Sequence, residues 1–142
     1  MNAMLTSTHP AGLRARHVPL TTGLAAAAEA RTQVRAIVSA WQVPVDAYVV
    51  ALLTSELVTN AVRNGADPTV MLDVTCSAAG LRVDVHDTSR ALPAQADTPA
   101  DAETGRGLII VGALADEWGF YATPGGKAVY FTIAFQSGGS AK

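Results

Sequence analysis

The chain has 142 residues, of which 49% are apolar and 15% charged, enough to close one hydrophobic core and too apolar for a disordered chain. A formal net charge of −2 argues against a protein built to coat nucleic acid, which carries a basic excess. The single cysteine, Cys76, excludes a disulfide framework or a multi-thiolate metal site, and His9, His17 and His86 share no ligand spacing. Met1–Pro10 lacks the charged lead and apolar run of a signal peptide, and no apolar run approaches the roughly eighteen residues that a membrane span needs. A soluble cytoplasmic protein, bound to neither membrane nor nucleic acid, is the expectation.

In chain order, residues 1–13 and 137–142 are small and polar without periodicity and read as flexible ends around one domain over 14–136. A helix is predicted from about Leu24 to Trp41, where Ala30, Val34, Ile37, Val38 and Trp41 recur at helical spacing in an alanine-rich run, with Pro44 closing it. Asp46 is a plausible N-cap for a second helix reaching Arg63 or Asn64, with Gly65 as its stop. From Thr69 the period changes to two. Val70, Leu72, Val74 and Cys76 share one face, Ser77–Gly80 makes a hairpin-length turn, and Leu81, Val83 and Val85 alternate with Arg82, Asp84 and His86. A polar stretch with Pro93 and Pro99 runs from Thr88 to Glu103, a length usually reserved for binding loops and lids. Gly105-Arg106-Gly107 then opens a short helix, Leu108–Leu114, before two strands near Glu117–Ala122 and Lys127–Phe135 joined by a turn at Thr123–Gly126. The predicted fold is an α+β two-layer sandwich, with helices on one face of an antiparallel-dominated mixed sheet.

Three places carry candidate chemistry. Glu56 and Asn60 stand four residues apart on the second helix and project from one face, with Arg63 and Asn64 a turn further on. They form either a solvated helix flank or part of a site. Asp87 continues the register of Leu81, Val83 and Val85, so it points to the packed side, where a carboxylate must accept hydrogen bonds. It serves either as a cap for the turn through Thr88 and Ser89 or as a ligand contact. Gly105-Arg106-Gly107 offers bare N–H groups at a helix start, which suits a phosphate or a plain tight turn. No Walker-type phosphate loop and no dinucleotide-binding glycine fingerprint is present.

The order of these parts is more specific than any one of them. Glu56-Leu57-Val58-Thr59-Asn60-Ala61-Val62-Arg63-Asn64 resembles the N box of the Bergerat-fold, histidine-kinase-like (GHKL) ATP-binding domains. Val85-His86-Asp87-Thr88-Ser89 is similar to their adenine-binding Asp box, and Gly105-Arg106-Gly107-Leu108-Ile109-Ile110-Val111 to their second Gly box. The segments Ala113–Gly119 and Gly125–Tyr130 look like those closing the short actinobacterial branch, which is related to anti-sigma-factor serine kinases. The resemblance covers about residues 14–135.

The resemblance implies ATP and Mg²⁺ as cofactors. Asn60 would ligate the Mg²⁺ that bridges the phosphates, and Asp87 would accept the adenine amino group. Gly105, Arg106 and Gly107 would wrap the phosphates beneath a lid formed by the preceding loop. Arg63, Asn64, Ser89 and Leu108 would lie along the same nucleotide site, and Glu56 would be the general base. The sequence departs from the family pattern in Thr88-Ser89-Arg90-Ala91, which replaces a glycine-bearing Asp box. It departs again at Ala128, where many members carry an adenine-site threonine, and at Asn64, where histidine is frequent.

The activity implied is that of a protein serine/threonine kinase of anti-sigma-factor type, acting on a small STAS-type antagonist and holding a sigma factor, with a homodimer as one possible arrangement. A histidine kinase proper is not expected, because 142 residues leave no room for a dimerisation helix with a phosphoacceptor histidine. The rival reading is a non-catalytic nucleotide-sensing, protein-binding module. A third is a structural domain with a decayed site.

Overall fold

The computed structural model describes residues 6–8, 13–21, 23–64, 69–88 and 109–135. Its elements are β1 (Thr6–Thr8), β2 (Arg14–Thr21), α1 (Ala26–Trp41), α2 (Ala47–Asn64), β3 (Thr69–Cys76), β4 (Gly80–Asp87), β5 (Glu117–Thr123) and β6 (Gly126–Ala134). Residues 109–114 are helical as well. The strands form one sheet in the order β1-β2-β3-β4-β6-β5, antiparallel at all five pairings.

Local signals account for the helix ends. Asp46 Oδ1 accepts from the backbone N–H groups of Tyr48, at 2.9 Å, and Val49, at 3.3 Å, which is the N-cap expected for α2. α1 begins at Ala26 rather than at the fully exposed Leu24. It stops at Gln42, whose left-handed backbone (φ 52°) lets the Val43 N–H reach Val38 O at 3.1 Å. The helix has therefore ended before Pro44 could break it.

The sheet extends beyond the expected four strands. β2 was not predicted, because Pro19 interrupts a run in which Val18 and Leu20 otherwise alternate inward. The structure nonetheless keeps this residue in the strand, where Pro19 pairs in register with Met71 of β3, while among the described residues β1 pairs with Arg14–Arg16. β1 itself falls within the segment read as a loose N-terminal end, three of whose residues add to the sheet.

The core lies between the helices and one sheet face. Leu72 and Val74 of β3, Val83 and Val85 of β4 and Phe131 of β6 meet Val34 and Ile37 of α1 and Leu53, Leu57 and Val58 of α2, all at 0–1% exposure. No helix of the described residues is long and apolar enough to cross a membrane.

The opposite sheet face is ionic. Arg82 grips Asp84 through two hydrogen bonds of 2.8 and 2.9 Å and lies over the Tyr130 ring, while the Tyr121 hydroxyl donates to Asp84 at 2.8 Å. Next to it Asp73 interacts with both His17 and His86, the latter through Nε2 at 2.9 Å. Burial pushes the Asp73 carboxyl up, but the hydrogen bonds with His86 and His17 outweigh it and leave the pKa below its ordinary value. The hydrogen bond to Asp73 raises His86 against the opposing effect of burial.

The sign of the pH dependence follows. The raised histidine stabilises the fold fully below its ordinary value of 6.5 and loses that effect as pH climbs through its higher folded value. The depressed carboxylate stabilises above 3.8 and loses that effect as pH falls through its lower folded value. Asp73→Asn is expected to lower the melting temperature most at about pH 5–6 and clearly less at about pH 9, as read by thermal unfolding across that range.

Candidate functional site

β3 starts, β4 ends and β6 starts at the same end of the sheet, since Met71 pairs with His86 and Asp87 with Lys127. Four residues separate the end of α2 from the start of β3, so the C-terminal turn of α2 lies at that end too. This is where the sequence-predicted polar residues converge.

Asp87 takes its position from strand alternation. It follows Leu81, Val83 and Val85 on the helix-covered face, and it is only 6% exposed. Directly across the β4–β6 ladder stands Lys127, equally enclosed, whose Nζ donates to both carboxylate oxygens at 3.0 and 2.9 Å. Gly126 makes this approach possible. A Cβ there would sit 2.1 Å from the Asp87 carbonyl oxygen, so only glycine lets β6 press against the end of β4. Sequence reading placed Lys127 at the start of the last strand and gave it no part in the site. The signal that would have found it is the β4–β6 register, which joins residues forty apart and cannot be seen locally.

The same register corrects the reading of Ala128. It pairs with His86 and so faces the ionic side of the sheet, fully buried there. The side chain beside the Asp87 carboxylate is Lys127, one position earlier.

On α2 the polar stripe divides. Asn60 is 3% exposed and belongs to the interior, not to a solvated flank. Glu56, one turn earlier, is half-buried and borders a cavity of about 330 Å³ between the two helices, shared with Arg31, Arg35, Tyr48 and Ser55. Arg63 is exposed. Asn64 is the last residue of α2. A second cavity, about 210 Å³, opens beside Asp87 and Thr88. The structure thus places Asn60 and Asp87 toward one end of the two layers, whereas Glu56 borders a separate groove between α1 and α2 that runs back toward Tyr48. Ser89, Gly105, Arg106, Gly107 and Leu108, together with the predicted lid, lie outside the described residues.

A family model for the histidine kinase-like ATPase domain matches residues 20–133. The chain belongs to that family. The match runs from the end of β2 into β6, and so takes in both helices, Asn60, Asp87 and Lys127. No curated protein is significantly similar to the chain. As a histidine kinase-like ATPase domain, the protein has the α+β architecture expected of its sequence.

Among the described residues no cluster of three or more histidine, cysteine or acidic side chains forms a metal cage. The donor chemistry available is the hard amide oxygen of Asn60, which suits a magnesium ion that takes most of its other ligands from phosphate and water.

The Asp87–Lys127 pair is enclosed enough that removing one partner strands a buried charge. Asp87→Asn and Lys127→Met are each expected to destabilise the fold by about 3–5 kcal/mol. The uncharged double variant should recover most of that loss, as measured by urea unfolding.

Proposed function

We propose that the protein is a cytoplasmic, ATP-dependent serine/threonine kinase of anti-sigma-factor type, which holds a sigma factor and phosphorylates a small STAS-type antagonist. The observation that carries this reading is the division of one helix face. Asn60 is drawn into the interior, and Glu56 is left half-buried in a groove between α1 and α2. Phosphoryl transfer asks mainly for positioning and charge neutralisation, and it separates the residue that holds the nucleotide from the one that meets the attacking hydroxyl.

Each residue's role follows from its place. Bound ATP·Mg²⁺ supplies the transferable phosphoryl group and neutralises its charge. Asn60 offers an amide oxygen to the cation, and burial holds it in one orientation. Asp87 accepts the exocyclic amino group of adenine, which favours ATP over GTP. Glu56 accepts the proton of the acceptor's serine or threonine hydroxyl. It retains access to a protein substrate because its groove opens between α1 and α2. A nucleotide-sensing module without transfer would need Asn60 and Asp87 but would make no use of Glu56.

This difference defines the test. Asn60→Ala should abolish Mg²⁺-dependent ATP binding by calorimetry while the protein still unfolds cooperatively. Glu56→Gln should bind ATP like the native protein but transfer phosphate to an antagonist about 10²–10⁴-fold more slowly. Equal transfer by native protein and Glu56→Gln would remove Glu56 from the chemistry. Tight ATP binding with no transfer to any antagonist would leave the sensing module as the better reading.

A further inference from the structure

We propose that the groove between α1 and α2 takes an acidic side chain of the phosphate-accepting protein, held by Arg31 and Arg35 beside Glu56. The inference rests on the kinase reading above and names the chemistry by which the acceptor is recognised.

Arg31 and Arg35 stand four residues apart on α1, so they project from one face a turn apart. Tyr48, Ser55 and Glu56 recur at helical spacing on α2, and all five residues line the same cavity of about 330 Å³. That is the volume of roughly ten waters, room enough for one side chain. Arg31 and Glu56 are half-buried, whereas Arg35 and Tyr48 are exposed. Among the described residues, no hydrogen bond, ion pair or ring contact engages the side chains of Arg31, Arg35 or Glu56. Arg82 on the sheet shows the contrary case, its guanidinium bound twice by Asp84. Ser55 is already committed, since its hydroxyl donates to Leu52 O at 2.8 Å. Two cations and one anion therefore share a groove without pairing.

The charge balance selects the ligand. Arg31 and Arg35 exceed Glu56 by one positive charge, which a single carboxylate neutralises, whereas a phosphate group brings roughly two negative charges. A planar carboxylate also matches the guanidinium fork through paired N–H···O bonds. Position selects the source. Packed helices lie roughly 8–10 Å apart, so a chain that lays its hydroxyl against Glu56 on α2 reaches the arginines of α1 within about three extended residues. The acid that fills the groove thus belongs to the molecule that carries the acceptor serine or threonine.

The test uses the full chain with Mg·ATP and a STAS-type antagonist that it phosphorylates, comparing native protein with Arg31→Glu and Arg35→Glu. Each reversal should raise KM for the antagonist at least about tenfold, with kcat and ATP affinity within about twofold of native. Binding of the antagonist to native protein should weaken as salt is raised. Aspartates and glutamates on the antagonist's surface are then changed to arginine one at a time. One such change, within about 10 Å of the phosphorylated hydroxyl, should restore KM toward native with Arg31→Glu or Arg35→Glu. If a reversal does not unfold cooperatively, Arg31→Gln or Arg35→Gln carries the same KM comparison. Native KM in both variants overturns the proposal, as does a loss confined to kcat or to ATP affinity, or the lack of any rescuing change in the antagonist. A native protein that transfers phosphate to no antagonist overturns the kinase reading itself, and this inference with it.

Discussion

A strand that alternates Leu81, Val83 and Val85 inward has no choice about where Asp87 goes: the pleat delivers that carboxylate to the helix-covered face. A buried carboxylate must then be compensated, and β6 brings Lys127 directly opposite. That demand reaches back into the chain, because the two strands can close to this distance only if the residue before Lys127 has no side chain. The Asp87 part of the candidate site is therefore built into the sheet's register. The rest of the layer, including the inward turn of Asn60 on α2, is packed around that fixed end.

The two faces of the sheet solve opposite problems. On the helix side aliphatic residues and Phe131 exclude water, and the Asp87 charge admitted there is matched by Lys127. On the other side charges are numerous but shared. Asp84 is almost fully covered by Arg82 and Tyr121, and Asp73 lies between two histidines. The partly exposed pairs among them contribute little individually. Linked across adjacent strands, they hold the register of β2, β3, β4 and β6 without a second layer of helices.

Much of this was legible in the sequence, for identifiable reasons. β3 and β4 declare themselves by strict alternation, α2 by the Asp46 cap and its apolar spacing, and the inward direction of Asp87 by simple counting from Leu81. β2 was illegible because Pro19 reads as a strand breaker, and the pairing that keeps it in the strand, with Met71 of β3, joins residues far apart in the chain. The burial of Asn60 was equally hidden. It shares a helix face with the half-buried Glu56, and only the packing of α2 against both the sheet and α1 separates the two.

By itself, the sequence determined the α+β class, the two helices and the Asp46 cap of the second, the faces of β3 and β4, and the resemblance to one ATPase family to which the chain belongs. All of these depend on residues close together in the chain, where periodicity, capping and turn chemistry act. Tertiary structure alone decided which residue meets Asp87. Lys127 and not Ala128 stands beside the carboxylate because β4 and β6 pair in one register, and a shift of one residue would have exchanged the two. That register is set by the close approach at Gly126 and by core packing across the whole sheet, and no local stretch of sequence contains it.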